Sequence, residues 1–402
     1  MRSFKLVGAA TACALALSAC GGGDSSSSSS PDEVLIGGTY PLTGPLADDG
    51  QEMVNAIKMA VADVNDAGGI KSLDGTEVVF KAKDSTGAPE QAAKNTQALI
   101  DEGSSAIIGA WLSSNTLATT QVAERAKVPH IVDQSQAPEL IERGYQYTFR
   151  VMFDPPRVAK AANDFVEHVN EEWGLNGKAV FLHEDSAFGT SQSEYFRKEA
   201  EQRSVEVVKD IPYASSTTDM SSEVAQAIAS GADILLSTGY APDSLLLLKT
   251  LQEQNAEFKA VIGVDSAGWY SNRFAEDAGD LIEGVMDAGS YPIDFASPDY
   301  TSFAERFESE FGSEPSGGAV MSYVSARVLL EAIEDAGSSD PADIRETLAS
   351  GTFDGYLLTQ EQISFDDVGQ NEEIEPIDYQ FQNGRREVVW PEQFATGKLQ
   401  RP

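Results

Sequence analysis

From Val34 onward, short runs of β-branched and apolar residues alternate with longer stretches whose apolar residues recur every three or four positions. This is the pattern of a parallel sheet covered by helices. Val34 to Gly38 predicts a strand, and Met53, Ile57, Val61 and Val64 fall at helical spacing before Gly68-Gly69 closes the helix. The unit repeats through strands at Glu77 to Ala82, Ala106 to Ile108 and His130 to Val132, with helices at Pro89 to Glu102 and Ser113 to Lys127. Asp154-Pro155-Pro156 interrupts the series and reads as a crossover. A second series follows, with strands at Ala179 to His183, Val205 to Ile211, Ile234 to Thr238 and Ala260 to Gly263 and a helix at Pro242 to Gln254. An extended run at Glu283 to Tyr291 then leads into helices at Tyr300 to Phe311, Gly318 to Asp335 and Pro341 to Ser350. The tail, Gly355 to Trp390, reads as antiparallel strands with a turn at Asn383-Gly384. The expectation is two α/β domains whose loops gather at the carboxyl ends of parallel strands, where ligands settle.

The first 31 residues break this pattern. Arg2 and Lys5 precede an apolar run from Leu6 to Leu17, too short to cross a bilayer, and small residues stand at Ser18 and Ala19 before Cys20. This is the layout of an export signal, and Leu17-Ser18-Ala19-Cys20 resembles the bacterial lipobox, whose cysteine is lipidated. The following Gly and Ser tract to Pro31 cannot bury apolar surface and predicts a linker spanning on the order of 18 Å. Residues 1–19 are thus expected to leave as a signal peptide, with 20–31 as a lipidated, flexible tether. Cys13 and Cys20 are the only cysteines, so no disulfide framework is expected. The net charge of −36 excludes nucleic acid as a natural partner, because phosphate binding needs clustered cations.

Enzyme signatures are missing from the sequence. There is no Gly-x-Ser-x-Gly elbow, phosphate-binding Gly-x4-Gly-Lys loop, His-Glu-x-x-His pair or Gly-x-Gly-x-x-Gly after a strand. Three histidines, His130, His168 and His183, leave little material for a metal site or a general base, and neither a metal nor a cofactor is expected. His183-Glu184-Asp185, at the end of a strand, is the best catalytic candidate, although a polar loop lining a cleft explains it better. Asp243-Ser244-Leu245 carries Pro242 where a hydrolase block needs glycine.

Several ordered segments resemble the leucine/isoleucine/valine-binding family of extracytoplasmic receptors for ABC importers. They are Tyr40-Pro41-Leu42-Thr43-Gly44-Pro45, Asp63-Val64-Asn65-Asp66-Ala67-Gly68-Gly69-Ile70, Ile107-Ile108-Gly109 to Ser113-Ser114, and Ala137-Pro138-Glu139-Leu140. Ala187-Phe188-Gly189, Thr238-Gly239-Tyr240 and Ile363-Ser364-Phe365-Asp366 extend the match down the chain. The resemblance implies a two-lobed type 1 periplasmic-binding-protein fold, with lobe 1 in 32–154 and 290–370 and lobe 2 in 155–289 and 371–402. It also implies three hinge crossovers, a monomeric receptor without enzymatic activity, a small polar solute and an ABC permease as partner, with Cys20 holding the receptor at the membrane. A sensor with the same cleft, or a hydrolase using His183, are the competing expectations.

The strand-to-helix position of Ser113 and Ser114 places hydroxyls and free backbone N–H groups at the cleft mouth, a natural anion site that is also the position of a plain helix cap. The family resemblance implies a solute carboxylate there. It also points to Gln134, Ser135 and Gln136, where relatives carry smaller residues, and to Phe188 and Tyr240 in the second lobe. Asp265 matches an acidic position that pairs with a ligand ammonium; a buried carboxylate without a cation is costly. Trp111, Trp269 and Tyr270 flank these positions and are expected as an apolar or cation–π wall, or as lobe packing. Asp49 stands where amino-acid binders place a tyrosine, a departure that argues against a copied leucine pocket.

Overall fold

A computed structural model describes residues 33–401; the expected signal, Cys20 and the serine tract lie outside these residues. The chain begins with β1 (Glu33–Tyr40), α1 (Ala47–Asp66), β2 (Glu77–Asp84), α2 (Pro89–Asp101), β3 (Ala106–Gly109), α3 (Ser113–Ala126), β4 (His130–Val132), α4 (Glu139–Glu142) and β5 (Thr148–Arg150). The five strands form one sheet in the order β2-β1-β3-β4-β5, all parallel. Every residue of β3, β4 and β5 is buried, as strands covered on both faces require.

The chain then enters α5 (Pro155–Trp173), whose Asp154 side chain caps the first turn, with Pro155 at the start where its missing N–H costs nothing. β6 (Lys178–Glu184), α6 (Ala187–Ala200), β7 (Glu206–Tyr213), α7 (Ser221–Ala229), β8 (Ile234–Thr238), α8 (Ala241–Glu253), β9 (Ala260–Val264), α9 (Asn272–Ala278) and β10 (Met286–Ser290) follow. The chain next returns to the first sheet with α10 (Pro298–Phe311), α11 (Gly317–Ala336), α12 (Pro341–Ser350) and a small hairpin of β11 (Thr352–Asp354) and β12 (Gln362–Ser364). α11 packs on α1, β3 and β4 and is buried along most of its length. Finally β13 (Ile377–Gln382) and β14 (Arg385–Trp390) close the second sheet, β14-β13-β10-β9-β8-β6-β7. Its five strands from β6 to β10 run parallel in the same relative order as the first sheet, and β13 and β14 add an antiparallel edge.

The fold is therefore two-lobed, with the chain crossing after β5, after β10 and after β12. The first and third crossings are tied together. Arg150, fully buried, donates from Nε to Gln370 Oε1 at 2.6 Å, and Asn371 Nδ2 donates to the Val151 carbonyl at 2.8 Å. Burial lowers the Arg150 pKa to about 10, which leaves the guanidinium charged at neutral pH. Both sheets reverse strand order beside their first strand, so each puts a ligand crevice at the carboxyl ends of its strands.

Candidate functional site

The wall from the first lobe is built on the loops after β3 and β4. Leu112, not a serine, occupies the N-cap position of α3, and no side chain caps the helix. Among the described residues the N–H groups of Ser113, Ser114 and Asn115 have no acceptor, so the helix start keeps its partial positive charge. The Ser113 oxygen accepts from the N–H of Gln136 at 3.2 Å and of Ala137 at 3.3 Å, which leaves its own proton free to donate. Trp111 holds a φ of 61°, a left-handed conformation that a bulky side chain adopts only under constraint. Gln134 spends its amide within the protein: Nε2 donates to Ser322 Oγ at 3.1 Å and to the Gly318 carbonyl at 3.2 Å, and Oε1 accepts from the Tyr291 hydroxyl at 3.0 Å.

The opposite wall carries carboxyl groups and rings. Asp265, just past β9, also has a positive φ, 47°, which aspartate tolerates. Its Oδ2 accepts from Gln192 Nε2 at 2.9 Å and its Oδ1 from the Tyr270 hydroxyl at 3.3 Å. Burial and then the neighbouring Asp287 push the Asp265 carboxyl well above the ordinary range, against those two hydrogen bonds. Asp287 itself rises to about 7, chiefly from burial, although Ser290 Oγ and the Ser266 N–H both donate to it. Among the described residues no Lys or Arg lies within ion-pair distance of Asp265. Behind Tyr240, Asp243 accepts the Tyr240 N–H at 3.0 Å and the Tyr213 hydroxyl at 2.6 Å, and burial raises it to about 7. A Cβ at position 239 would stand 2.3 Å from Asp243 Oδ2 and 2.4 Å from the Tyr213 hydroxyl, so a side chain there would displace this hydrogen-bonded pair.

The two walls meet. Trp111 packs edge-on against Tyr240 with ring centres 5.6 Å apart, Phe188 lies 5.5 Å from Tyr240, and Tyr270 stacks on Tyr291 at 3.9 Å. One void of about 10 Å³ is lined by Trp111, Ser113, Gln134, Phe188, Tyr240 and Asp265, together with Ala267 and Tyr291. A second void of about 10 Å³ is lined by Asp49, Met53, Trp111, Gln134, Tyr270 and Tyr291, among others. Each has room for about one water. A larger solute enters this contact only when the walls part.

The matches to known proteins agree with this geometry. Residues 33–373 match the family model described as periplasmic binding protein. The Leu/Ile/Val-binding protein homolog 8 of Brucella abortus (strain 2308) is 32% identical over 378 residues, 91% of this chain and 93% of that protein. The chain belongs to the periplasmic binding protein family. Among solved structures, the branched-chain amino acid transporter substrate-binding protein LivJ of Streptococcus pneumoniae, in complex with isoleucine, has a TM-score of 0.77 at 23% identity and covers 89% of this chain and 100% of its own. A solute-binding protein of an ABC transporter from Rhodopseudomonas palustris BisB5, in complex with 3,4-dihydroxybenzoic acid, has a TM-score of 0.75 at 20% identity, covering 91% and 95%. At these identities the two structures bear on the fold.

The residues singled out from sequence divide within this periplasmic binding protein. Trp111, Ser113, Gln134, Phe188, Tyr240 and Asp265 line the first void, and Asp49 lines the second. Ser114 is half-buried and lines neither. Ser135 turns into the first lobe, donating to the Trp111 carbonyl at 2.6 Å and pairing with Thr116 Oγ1. Gln136 is buried, and its side-chain amide has no hydrogen-bond partner. Of the rings expected beside the cleft, Tyr270 lines the second void and donates to Asp265, while Trp269 is buried and lines neither void; Tyr291 and Gln192 join the site without having been anticipated. Gln192 carries a legible signal, since it lies one helical turn beyond Phe188 and so shares its face. His183 is held by the Glu184 carbonyl at 2.9 Å and by Asp210 at 3.4 Å, on a different side of β6 from Asp265 and its partners. Ser193, the hydroxyl beside it, donates to Asp210 rather than to the imidazole.

Proposed function

We propose that the protein captures an α-amino acid between its lobes and delivers it to an ABC importer while Cys20 tethers it to the membrane. The observation that carries this reading is the pairing of Ser113 and the uncapped start of α3 with Asp265 around one void. A carboxylate placed at α3 receives N–H and hydroxyl donors; an ammonium placed at Asp265 supplies the cation that this buried acid lacks. Trp111, Phe188 and Tyr240 then face the rest of the solute, which favours an apolar or aromatic side chain. The isoleucine bound by the S. pneumoniae relative accords with that class. The hinges fall near residues 151–155, 290–293 and 370–377 on this reading, and closure desolvates the solute. The tether keeps the loaded receptor at high effective concentration near a permease.

A second reading, an aromatic carboxylate, is favoured by the same ring cluster and by the ligand of the R. palustris relative. Calorimetry with the purified protein separates the two. Isoleucine, phenylalanine, benzoate, 3,4-dihydroxybenzoate, simple amides and urea form the panel. Tight binding of an amino acid supports the first reading, and binding of the aromatic acids alone replaces it with the second. A free, unmodified Cys20 in the membrane fraction by mass spectrometry removes the tether.

A further inference from the structure

Gln192 is 1% exposed, and its amide nitrogen donates to Asp265 Oδ2 at 2.9 Å. Its other amide atom, Oε1, is buried with no hydrogen-bond partner. An orphaned buried acceptor is destabilising, a cost that methionine, of similar length and shape, would avoid. Packing alone therefore does not account for glutamine here. The chemistry of its neighbour does. Lysine or arginine at this place would neutralise Asp265 and leave nothing for a cationic solute to satisfy. An apolar residue would leave the carboxylate one donor short and so favour its protonated form. Glutamine supplies a donor without supplying a charge.

The other groups facing Asp265 do not substitute for it. Tyr270 donates at the longer distance of 3.3 Å, and Asp287 opposes ionisation. Tyr240, Tyr291 and Tyr379 feel the Asp265 charge, and burial above all keeps their hydroxyls protonated.

We propose that Gln192 is a positioning residue for solute recognition: its amide donor favours the charged form of the Asp265 carboxyl and turns it to the cleft without supplying a cation of its own, and so sets a preference for solutes bearing an ammonium group over those bearing a carboxylate alone. The preference rests on the reading of the cleft as an amino-acid site.

Two measurements on the purified protein test this. In the first, the Asp265 carboxyl is titrated by carbon-13 NMR with aspartate-selective labelling, using Asp265→Asn to assign the signal. Gln192→Met is expected to raise its midpoint by about one pH unit; an unchanged midpoint overturns the hold on Asp265. In the second, calorimetry compares isoleucine and phenylalanine with 3,4-dihydroxybenzoate. Gln192→Met is expected to weaken the amino acids about tenfold, as loss of a hydrogen bond to a charged group does, and to leave the dihydroxybenzoate within about twofold. In an Asp265→Asn background the same substitution is expected to change amino-acid binding by less than about twofold.

Equal losses for both solute classes, or losses that add in the double variant, show that Gln192 only fills space and overturn the proposal. Gln192→Leu is run alongside, so that a packing defect in one variant does not decide the result. A wild-type protein that binds dihydroxybenzoate but no amino acid overturns the amino-acid reading and the preference with it. The carboxyl titration then still confirms or refutes the hold of Gln192 on Asp265.

Discussion

The two lobes repeat one strand order, and the helix after the third strand of each lobe starts at the cleft, yet the two helix starts are finished in opposite ways. In the first lobe α3 begins with no capping side chain and with the Ser113 hydroxyl free to donate. In the second lobe the start of α8 carries its own carboxyl, Asp243, bonded to the Tyr240 N–H. α6 does the same through Glu184, which accepts from the N–H groups of Ser186 and Gly189 at 2.6 Å each. A helix start attracts negative charge. The second lobe meets that demand internally and then presents a further carboxyl, Asp265, to the cleft. The first lobe leaves the demand unmet. On the proposed reading, one architecture yields an anion-seeking wall and a cation-seeking wall, and a zwitterion would answer both.

The difference breaks most sharply if the first lobe is finished like the second. Ser113→Asp gives α3 its own carboxylate, which opposes a solute carboxylate at the cost of several kcal/mol, a loss of about a thousandfold in amino-acid affinity by calorimetry. The same change is expected to leave the thermal midpoint unchanged or slightly raised, because an acid near a helix start contributes about 0.3–1 kcal/mol. Retained binding would mean that α3 does not hold the solute. The reverse change, Asp265→Asn, keeps the shape of the second wall and removes its charge. Affinity for ammonium-bearing solutes is expected to fall about a hundredfold, within the range for truncating one partner of a buried charge pair. If the Asp265→Asn variant binds isoleucine as well as wild type does, the ammonium belongs to another group.

A smaller effect follows from the acids that the second lobe keeps for itself. Asp243 and Asp287 titrate near pH 7 in the folded protein, as does Glu52 of α1, against about 4 in an unfolded chain. Between pH 4 and 7 the folded state therefore binds more protons than the unfolded one, and stability declines as pH rises through this window. The net charge of −36 acts in the same direction. Thermal melts should show a midpoint that drops by several degrees from about pH 5 to about pH 7.5. Asp243→Asn, which retains an oxygen for the Tyr240 N–H, should flatten that slope. A slope unchanged in the variant would place the pH dependence outside Asp243.

Much of the fold was legible because each strand and helix announces itself by period. The residues after strand ends, Trp111, Ser113, Gln134, Phe188, Tyr240 and Asp265, were legible for the same reason: topology sends such positions to the cleft. Neighbours in one loop were not, because consecutive residues point in different directions. Gln134 reaches the cleft while Ser135 turns back toward Thr116. The Asp243 cap was readable from Pro242 and an acid three positions into α8, although its local pattern also invites a hydrolase comparison that the structure does not develop. Tyr270 was legible as a ring flanking the Asp265 loop, whereas Tyr291 carries no local signal. They matter through a stack between a segment after β9 and a crossing strand end, which depends on the relative placement of the lobes.

That stack supplies the mildest test of the comparison, because Tyr291 bridges the two walls and contributes neither the α3 start nor the Asp265 carboxyl. Tyr291 follows β10 and donates to Gln134 Oε1, so it joins the crossing to the first lobe, while its ring lies on Tyr270 of the second. Tyr291→Phe keeps the ring and removes the hydroxyl. Gln134 then loses the hydroxyl donor at Oε1, at a cost of about 1 kcal/mol, while Asp265, Ser113 and the α3 start are untouched. If the walls alone recognise the solute and Tyr291 only secures their closure, the variant should release amino acids about fivefold faster in stopped-flow measurements, with little change in association rate. Its relative preference among solutes should match wild type. A change in preference instead would make Tyr291 part of the recognising surface and add a third contributor to the pair of walls.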